Sequence, residues 1–257
     1  MPPARLRSAL AGFGIDTALA LVITFALMMG AGVVWGILRA IQLAAGGAEE
    51  AEILAGLAQP GALAQILIAL FSMGSTALLL YFWRRPATAL ERRHSWQALR
   101  RAGTWGAVVG VALLTFLSST AAAWLGERLG VPPNPSNLAP IRELTSSTPV
   151  FTMAFAVLLA PLYEELLFRR VLFGGLWRAG YPVLGMLLSG LVFALAHEAP
   201  GLNGNGLAPT LLLLAVYTGM GVAFAWVYRR TGTLWAPIAA HALNNALALG
   251  ALQLAGG

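Results

Sequence analysis

Residues 149–177 read PVFTMAFAVLLAPLYEELLFRRVLFGGLW. A helix needs about 20 mostly apolar residues to cross a bilayer, and this stretch is longer than that. Yet its second half carries Glu164, Glu165, Arg169 and Arg170. Ionisable groups inside a spanning segment are costly, and they face a bundle interior or a water-filled cavity. The stretch therefore reads as one helix of a polytopic membrane bundle whose charges turn inward. Pro161 cannot donate a backbone hydrogen bond to the carbonyl of Val157, which predicts a bend just before the acidic pair. Thr148 and Pro149 predict an N-cap and a first-turn proline.

The rest of the chain agrees. It has 257 residues, 58% hydrophobic and only 10% charged, against roughly 25% charged in a soluble domain. Such a composition cannot cover a water-facing surface, and lipid is its simplest solvent. Further apolar runs near 17–43, 61–83, 103–126, 182–198, 208–228 and 233–253 join 149–177. The expected fold is an all-α transmembrane bundle of about seven spans, or eight. The opening MPPARLRSAL with its apolar run has the look of a signal peptide, but the run continues to Leu38 without a cleavage site and reads as the first span. Residues 1–147 form the N-terminal spans and connectors; residues 148–257 form a core that carries the chemistry.

The net charge of +6 comes from arginine alone, because the chain has no lysine. Arg5 and Arg7, then Arg84, Arg85, Arg92, Arg93, Arg100 and Arg101, then Arg169, Arg170 and Arg178, then Arg229 and Arg230 fall on one side of the alternating spans. Glu49, Glu50, Glu52 and a Pro-rich connector over 127–148 fall on the other. This alternation predicts a multi-pass cell-membrane protein with a cytoplasmic N-terminus. No basic stripe with interleaved aromatics is present, so no nucleic-acid partner is expected. The expected partners are the bilayer and a membrane-associated peptide or protein. The absence of cysteine excludes disulfides, a thiolate nucleophile and Cys-based metal sites. Gly32/Gly36 and Gly106/Gly110 have the GxxxG spacing of close helix contacts, although small residues are common in membrane helices without marking one.

Three polar groups break the apolar pattern of the C-terminal half: Glu164-Glu165 with Arg169, His197-Glu198, and His241 with Asn244 and Asn245. Elsewhere Asp16 is expected at a helix end in the interface, His94 solvated in an arginine-rich loop, and Glu198 interfacial beside Pro200. Glu165 and Arg169 are i, i+4 and meet on one helix face. Glu164 points about 100° away and is free to face a site. Glu164 stands about 15 residues before the turn near Ala179-Gly180, and His197 about 17 after it, so both lie roughly 22–26 Å from that turn. Phe193 is one turn before His197 on the same face. His241 and Asn245 are i, i+4 and can enter one cavity. His241 is only about 10 residues past the turn at Arg230-Thr231, so helix tilt or a longer loop must bring it to the same depth. A buried Glu-Arg pair or a lone histidine is often only structural; three such coincidences in neighbouring spans point to a site.

A glutamate, two histidines and an asparagine suit hydrolysis. Glu164 can take a proton from water and return it to a leaving amine. Histidine can orient that water or bind a divalent metal that acidifies it. An Asn amide can donate to a developing oxyanion. The inventory excludes other designs. Asp16 is the one aspartate, so no two-aspartate dyad forms; position 201 is Gly201, so there is no HExxH helix; and no GxSxG elbow is present. The glycines at 201, 204 and 206 lack a preceding strand and read as a flexible turn.

Glu164-Glu165-Leu166-Leu167-Phe168-Arg169 matches EExxxR, Phe193-Ala194-Leu195-Ala196-His197 matches FxxxH, and His241-Ala242-Leu243-Asn244-Asn245 matches HxxxN. In this order the set resembles the CPBP family, which groups CAAX prenyl endopeptidases of the Rce1 type, bacteriocin-processing enzymes and Abi proteins. The resemblance covers roughly residues 148–250. It implies an intramembrane endopeptidase in which Glu164 and His197 activate water, while His241 and Asn245 serve the oxyanion site or a metal. Glu165, Arg169 and Phe193 would support them. Two readings stay open: a glutamate base acting alone, or a divalent metal such as zinc held by Glu164, His197 and His241. Arg170 departs from the small residue expected after the motif arginine. The competing readings are a non-catalytic immunity or scaffold protein of the same family and a proton-coupled transporter.

Overall fold

The computed structural model describes residues 3–201 and 204–256. Ten helices build it, and no strand occurs among the described residues. In chain order they are α1 (Pro3–Ala45), α2 (Glu50–Leu57), α3 (Ala62–Arg84), α4 (Ala89–Leu99), α5 (Ala102–Arg128), α6 (Leu138–Ser147), α7 (Pro149–Arg178), α8 (Pro182–His197), α9 (Leu207–Thr231) and α10 (Trp235–Gly256). Seven of these coincide with the seven apolar runs. Five are long and apolar enough to cross a membrane: α1, α3, α5, α7 and α9. Short α2, α4 and α6 fill connectors. The protein is a helical membrane bundle.

Lipid removes the usual driving force for packing. A bilayer is as apolar as a leucine side chain, so helices associate through close contact and hydrogen bonds. The core shows both. Gly190 of α8 and Gly221 of α9 bring two backbones together: a Cβ on Gly221 would stand 2.6 Å from the Cα of Gly190. A Cβ on Gly190 would stand 2.9 Å from the Thr218 carbonyl oxygen. The GxxxG pairs at 32/36 and 106/110 do not act this way, because among the described residues no atom beyond their own helix turn and chain neighbours lies within 4 Å of a Cβ at any of the four. α1 presents Leu21, Val22, Phe25, Met28, Met29, Val33 and Ile37 outward, as a helix bathed in lipid does. Polar side chains of the spans turn back on their own helix; Ser72 donates to the Ile68 carbonyl and Thr76 to the Ser72 carbonyl, each at 2.7 Å.

A test of this contact follows. Gly221→Ala is expected to lower the melting temperature, because backbone rather than a flexible side chain blocks the new methyl. Gly110→Ala sits in open space, and there alanine's better helix propensity, about 0.5–1 kcal/mol, is expected to leave stability unchanged or raised. Equal melting temperatures for the two variants would mean that the Gly190–Gly221 approach does not hold α8 to α9.

α7 is one continuous helical column with two π-widened stretches, Ala154–Leu159 and Leu166–Phe173. The first lies beside Pro161, where the missing N–H already interrupts the α pattern. The second carries Arg169 and Arg170. Pro149 takes the first helical position as expected. Thr148 makes no side-chain cap; its hydroxyl turns back to the Leu144 carbonyl of α6 at 3.3 Å.

One end of the bundle is tied by charge. Asp16 is 1% exposed and lies well inside α1, not at a helix end. It accepts from Arg84 Nε at 2.6 Å and from Arg85 at 2.5 Å, so neutralisation replaces solvation. Arg170 grips α4, donating to both Glu91 oxygens at 2.9 and 2.8 Å and to the Arg85 and Pro86 carbonyls. That bond to Arg170 holds the Glu91 carboxyl well below its ordinary range, at about 2. His94 is exposed, as expected, but on helix α4 rather than in a loop. α4 also carries the α9–α10 turn, through a 2.6 Å hydrogen bond between the Ser95 and Thr233 hydroxyls and through Trp96 against Trp235. Gly232 closes α9 with a left-handed φ of 73°.

This tie explains a depth that residue counting misses. Arg170 and Thr233 both touch α4. From that level, Glu164 lies six residues, or about 9 Å, along α7, and His241 lies eight, or about 12 Å, along α10. The α7–α8 hairpin projects past this level and the α9–α10 turn does not. Counting from the turns alone therefore leaves His241 too shallow.

Candidate active site

Three helices deliver one constellation. Glu164 of α7 is buried, and its Oε2 has no hydrogen-bond partner among the described residues. Nε2 of His197, the last residue of α8, stands 3.6 Å from that oxygen, and Nε2 of His241 of α10 stands 3.9 Å from it. Both separations exceed a hydrogen bond and leave room for a bridging group.

The outer nitrogens fix the rings. His197 Nδ1 lies 2.9 Å from the Phe193 carbonyl, and His241 Nδ1 lies 2.9 Å from Glu165 Oε1. A carbonyl oxygen only accepts, so His197 carries its proton on Nδ1; an ionised Glu165 assigns the same tautomer to His241. In those neutral forms both Nε2 atoms aim lone pairs at Glu164. Two histidine lone pairs thus face one carboxylate oxygen from nitrogens 3.6 and 3.9 Å away, a place for a proton donor such as water.

Glu165 does more than the i, i+4 rule suggests. Its Oε2 lies 2.8 Å from Arg169 Nε, an ion pair between two fully buried residues, while Oε1 holds His241. The Arg169–Glu165 contact is not aligned as a hydrogen bond, and the guanidinium nitrogens find no other acceptor among the described residues. Aromatic faces take that place: the guanidinium carbon is 4.8 Å from the Phe193 ring, 5.4 Å from Phe224 and 5.8 Å from Phe168. Phe193 therefore supports the site twice, through Arg169 and through His197. Two residues that sequence reasoning missed frame the imidazoles. Tyr217 stacks on His197 at 4.8 Å and Phe224 on His241 at 4.8 Å, both from α9. An aromatic in an apolar helix carries no sequence signal of this task.

Asn245 lies one turn from His241. Its Nδ2 donates to the Ala156 carbonyl of the first π-widened stretch at 2.8 Å, and its Oδ1 accepts from Asn244. One of its two amide N–H groups is thus engaged and a second remains. Asn244 is tied in turn to the Thr115 hydroxyl of α5 at 3.0 Å, so the N-terminal spans do contribute to the site's support. Glu198 does not face outward from the helix end. It is 1% exposed and accepts from the Ser136 amide at 2.7 Å, while the Ser136 hydroxyl donates to the His197 carbonyl at 2.7 Å. The 131–137 connector thereby pins the end of α8 just where His197 leaves it.

Glu164, His197 and His241 are the donors a divalent metal would use, and their Nδ1 partners are of the kind that orients metal-bound histidines. Their donor chemistry fits. Their spacing does not close a coordination cluster: among the described residues no three His, Cys, Asp or Glu side chains stand ready to hold a metal. A cleft of about 1010 Å³ lies elsewhere, between α1, α3 and α6, and none of the site residues lines it.

Residues 146–247 match the family described as type II CAAX prenyl endopeptidase Rce1-like. The chain is 28% identical over 116 residues to YdiL of Bacillus subtilis (strain 168), named as a membrane peptidase, covering 45% of this chain and 43% of that protein. It is 32% identical over 148 residues to the membrane-embedded CAAX protease MroQ of Staphylococcus aureus (strain USA300), covering 54% of each. The chain thus spans about half the length of these relatives. No solved structure matches.

Proposed function

We propose that the chain, whose residues 146–247 match the Rce1-like CAAX protease family, hydrolyses a peptide bond of a membrane-associated peptide or protein, with Glu164 as the base. The observation that carries the reading is the unpartnered, buried Oε2 of Glu164 between two Nε2 atoms at 3.6 and 3.9 Å.

A water seated there donates one proton toward Glu164 and the other toward a histidine lone pair. Glu164 accepts the first as the water oxygen attacks the peptide carbonyl carbon. The carbonyl π pair moves onto oxygen, and the second N–H of Asn245 is the donor on hand for that charge. The C–N bond then breaks, Glu164 returns its proton to the leaving nitrogen, and a carboxylic acid and an amine result. Neutral histidines with Nδ1 protonated accept at Nε2 and do not donate there, so their task is to hold water. Were a divalent cation bound, Glu164, His197 and His241 would hold it, and it would supply a more acidic water.

The test is hydrolysis by the purified protein in lipid, on broad peptide libraries that include C-terminally isoprenylated members, with metal content measured on the same samples. Cleavage by wild type that His197→Ala abolishes is expected. Stoichiometric metal that disappears in His241→Ala would favour metal-bound water; full activity in metal-free samples would favour the glutamate alone. A well-folded protein that cleaves no library member would move the reading to a non-catalytic immunity or scaffold role.

A further inference from the structure

The two acids at the α4 end of the bundle are both consumed internally. Asp16 is held by Arg84 and Arg85, and Glu91 by Arg170. Those arginines point inward and are satisfied. Eight others do not share in the neutralisation: Arg5 and Arg7 on α1, Arg93 on α4, Arg100 and Arg101 before α5, Arg178 at the end of α7, and Arg229 and Arg230 at the end of α9 are exposed and make no side-chain hydrogen bond or ion pair with the described residues, and five of them adjoin α4. Eight guanidinium groups thus share one end of the molecule with no acid left to answer them. At the other end, Glu49, Glu50, Glu52, Glu127 and Glu143 accompany Arg39, Arg128 and Arg142, and no such excess builds up.

The same end is ringed by tryptophan. Trp83 closes α3, Trp96 lies on α4, Trp105 opens α5 and Trp235 opens α10, and all four are exposed. Exposed tryptophans at helix ends mark the level of lipid headgroups. α4 is built for that level: Ala98, on its inner side, is buried, while Arg92, Arg93 and Trp96 face outward. Arg170 and the Ser95–Thr233 bond hold the helix in place.

We propose that α4, with the adjoining ends of α5 and α9, is a binding surface for anionic phospholipid headgroups. Unpaired guanidinium groups at headgroup depth attract phosphate that carries net charge, and the tryptophans keep that depth fixed. A soluble acidic partner would have no use for the tryptophan ring, which favours a lipid. The proposal is independent of the reaction at Glu164.

The measurement is the association of spin-labelled phosphatidylglycerol, relative to spin-labelled phosphatidylcholine, with the full chain in phosphatidylcholine vesicles. Wild type is expected to prefer phosphatidylglycerol about fivefold at low salt, as one favourable guanidinium–headgroup contact supplies. The preference is expected to fall toward one at about 1 M salt, where screening acts within about 3 Å. Replacing Arg93, Arg100, Arg101, Arg229 and Arg230 by Gln is expected to abolish it, and replacing Arg39, Arg128 and Arg142 by Gln to leave it intact. Equal association of the two lipids with wild type overturns the proposal, as does a preference insensitive to salt or one lost only in the Arg39/Arg128/Arg142 variant. The salt series uses wild type alone, so it decides even where the multiply substituted variant does not fold. Equal lipid association together with binding of soluble polyglutamate would give the surface to an acidic protein and overturn the proposal too.

Discussion

Glu164→Gln is expected to cut peptide hydrolysis by about 10²- to 10⁴-fold, the usual contribution of a positioned general base, while melting at or above the wild-type temperature. The two halves of this result have one cause. The Glu164 Oε2 makes no hydrogen bond with the described residues, so removing its charge strands no partner there. Its neighbours are two Nε2 lone pairs at 3.6 and 3.9 Å, toward which a carboxylate cannot donate and an amide can. A residue kept for stability shows the opposite pattern, because a buried group that has lost its partner costs stability. Activity within tenfold of wild type would remove Glu164 as the base. Loss of fold with loss of activity would reassign it to structure.

The fold is legible in the sequence because an apolar run long enough to span lipid has few alternatives. The runs locate the crossings but not the helix ends. α1 begins at Pro3, well before the apolar residues start, so Asp16 reads as terminal when it is internal. Its burial depends on Arg84 and Arg85, 68 and 69 residues away in sequence. The same limit hides Glu198. A carboxylate beside Pro200 looks interfacial until Ser136, 62 residues earlier, covers it.

Parts of the site are legible for a different reason. Glutamate, histidine and asparagine are conspicuous in lipid-spanning helices, and helix rise alone puts Glu164 and His197 at one depth across a hairpin. Helical spacing pairs Glu165 with Arg169. That rule accounts for one carboxylate oxygen, and a carboxylate has two; the second reaches His241 on another helix. Neither that contact nor the rings of Tyr217 and Phe224 follows from the spacing of any single segment. Spacing also misleads, since the glycine pairs with the expected motif face open space while Gly190 and Gly221, on different helices, make the close approach.

The second oxygen of Glu165 makes the support of the site separable from its chemistry. Arg169→Met is expected to destabilise the protein by about 3–5 kcal/mol, the cost of breaking a buried pair from one side. Glu165 would keep its charge at 0% exposure, with His241 as its remaining partner. Adding Glu165→Gln removes that stranded charge. The double variant is expected to recover most of the lost stability, since neutral groups of similar shape replace a buried ion pair at little cost. It is not expected to recover full activity. The new amide oxygen at position 165 can still accept from His241 Nδ1, but it holds the ring less firmly than a carboxylate does, and loss of such support costs about 10- to 100-fold. Thermal melting and hydrolysis of the same samples check this. A single Arg169→Met variant as stable as wild type would show that the aromatic faces of Phe168, Phe193 and Phe224, rather than the ion pair, carry the packing. A double variant with full activity would show that the charge of Glu165 does nothing for His241. A stable double variant with reduced hydrolysis is the result expected if Glu165 joins the fold to the chemistry.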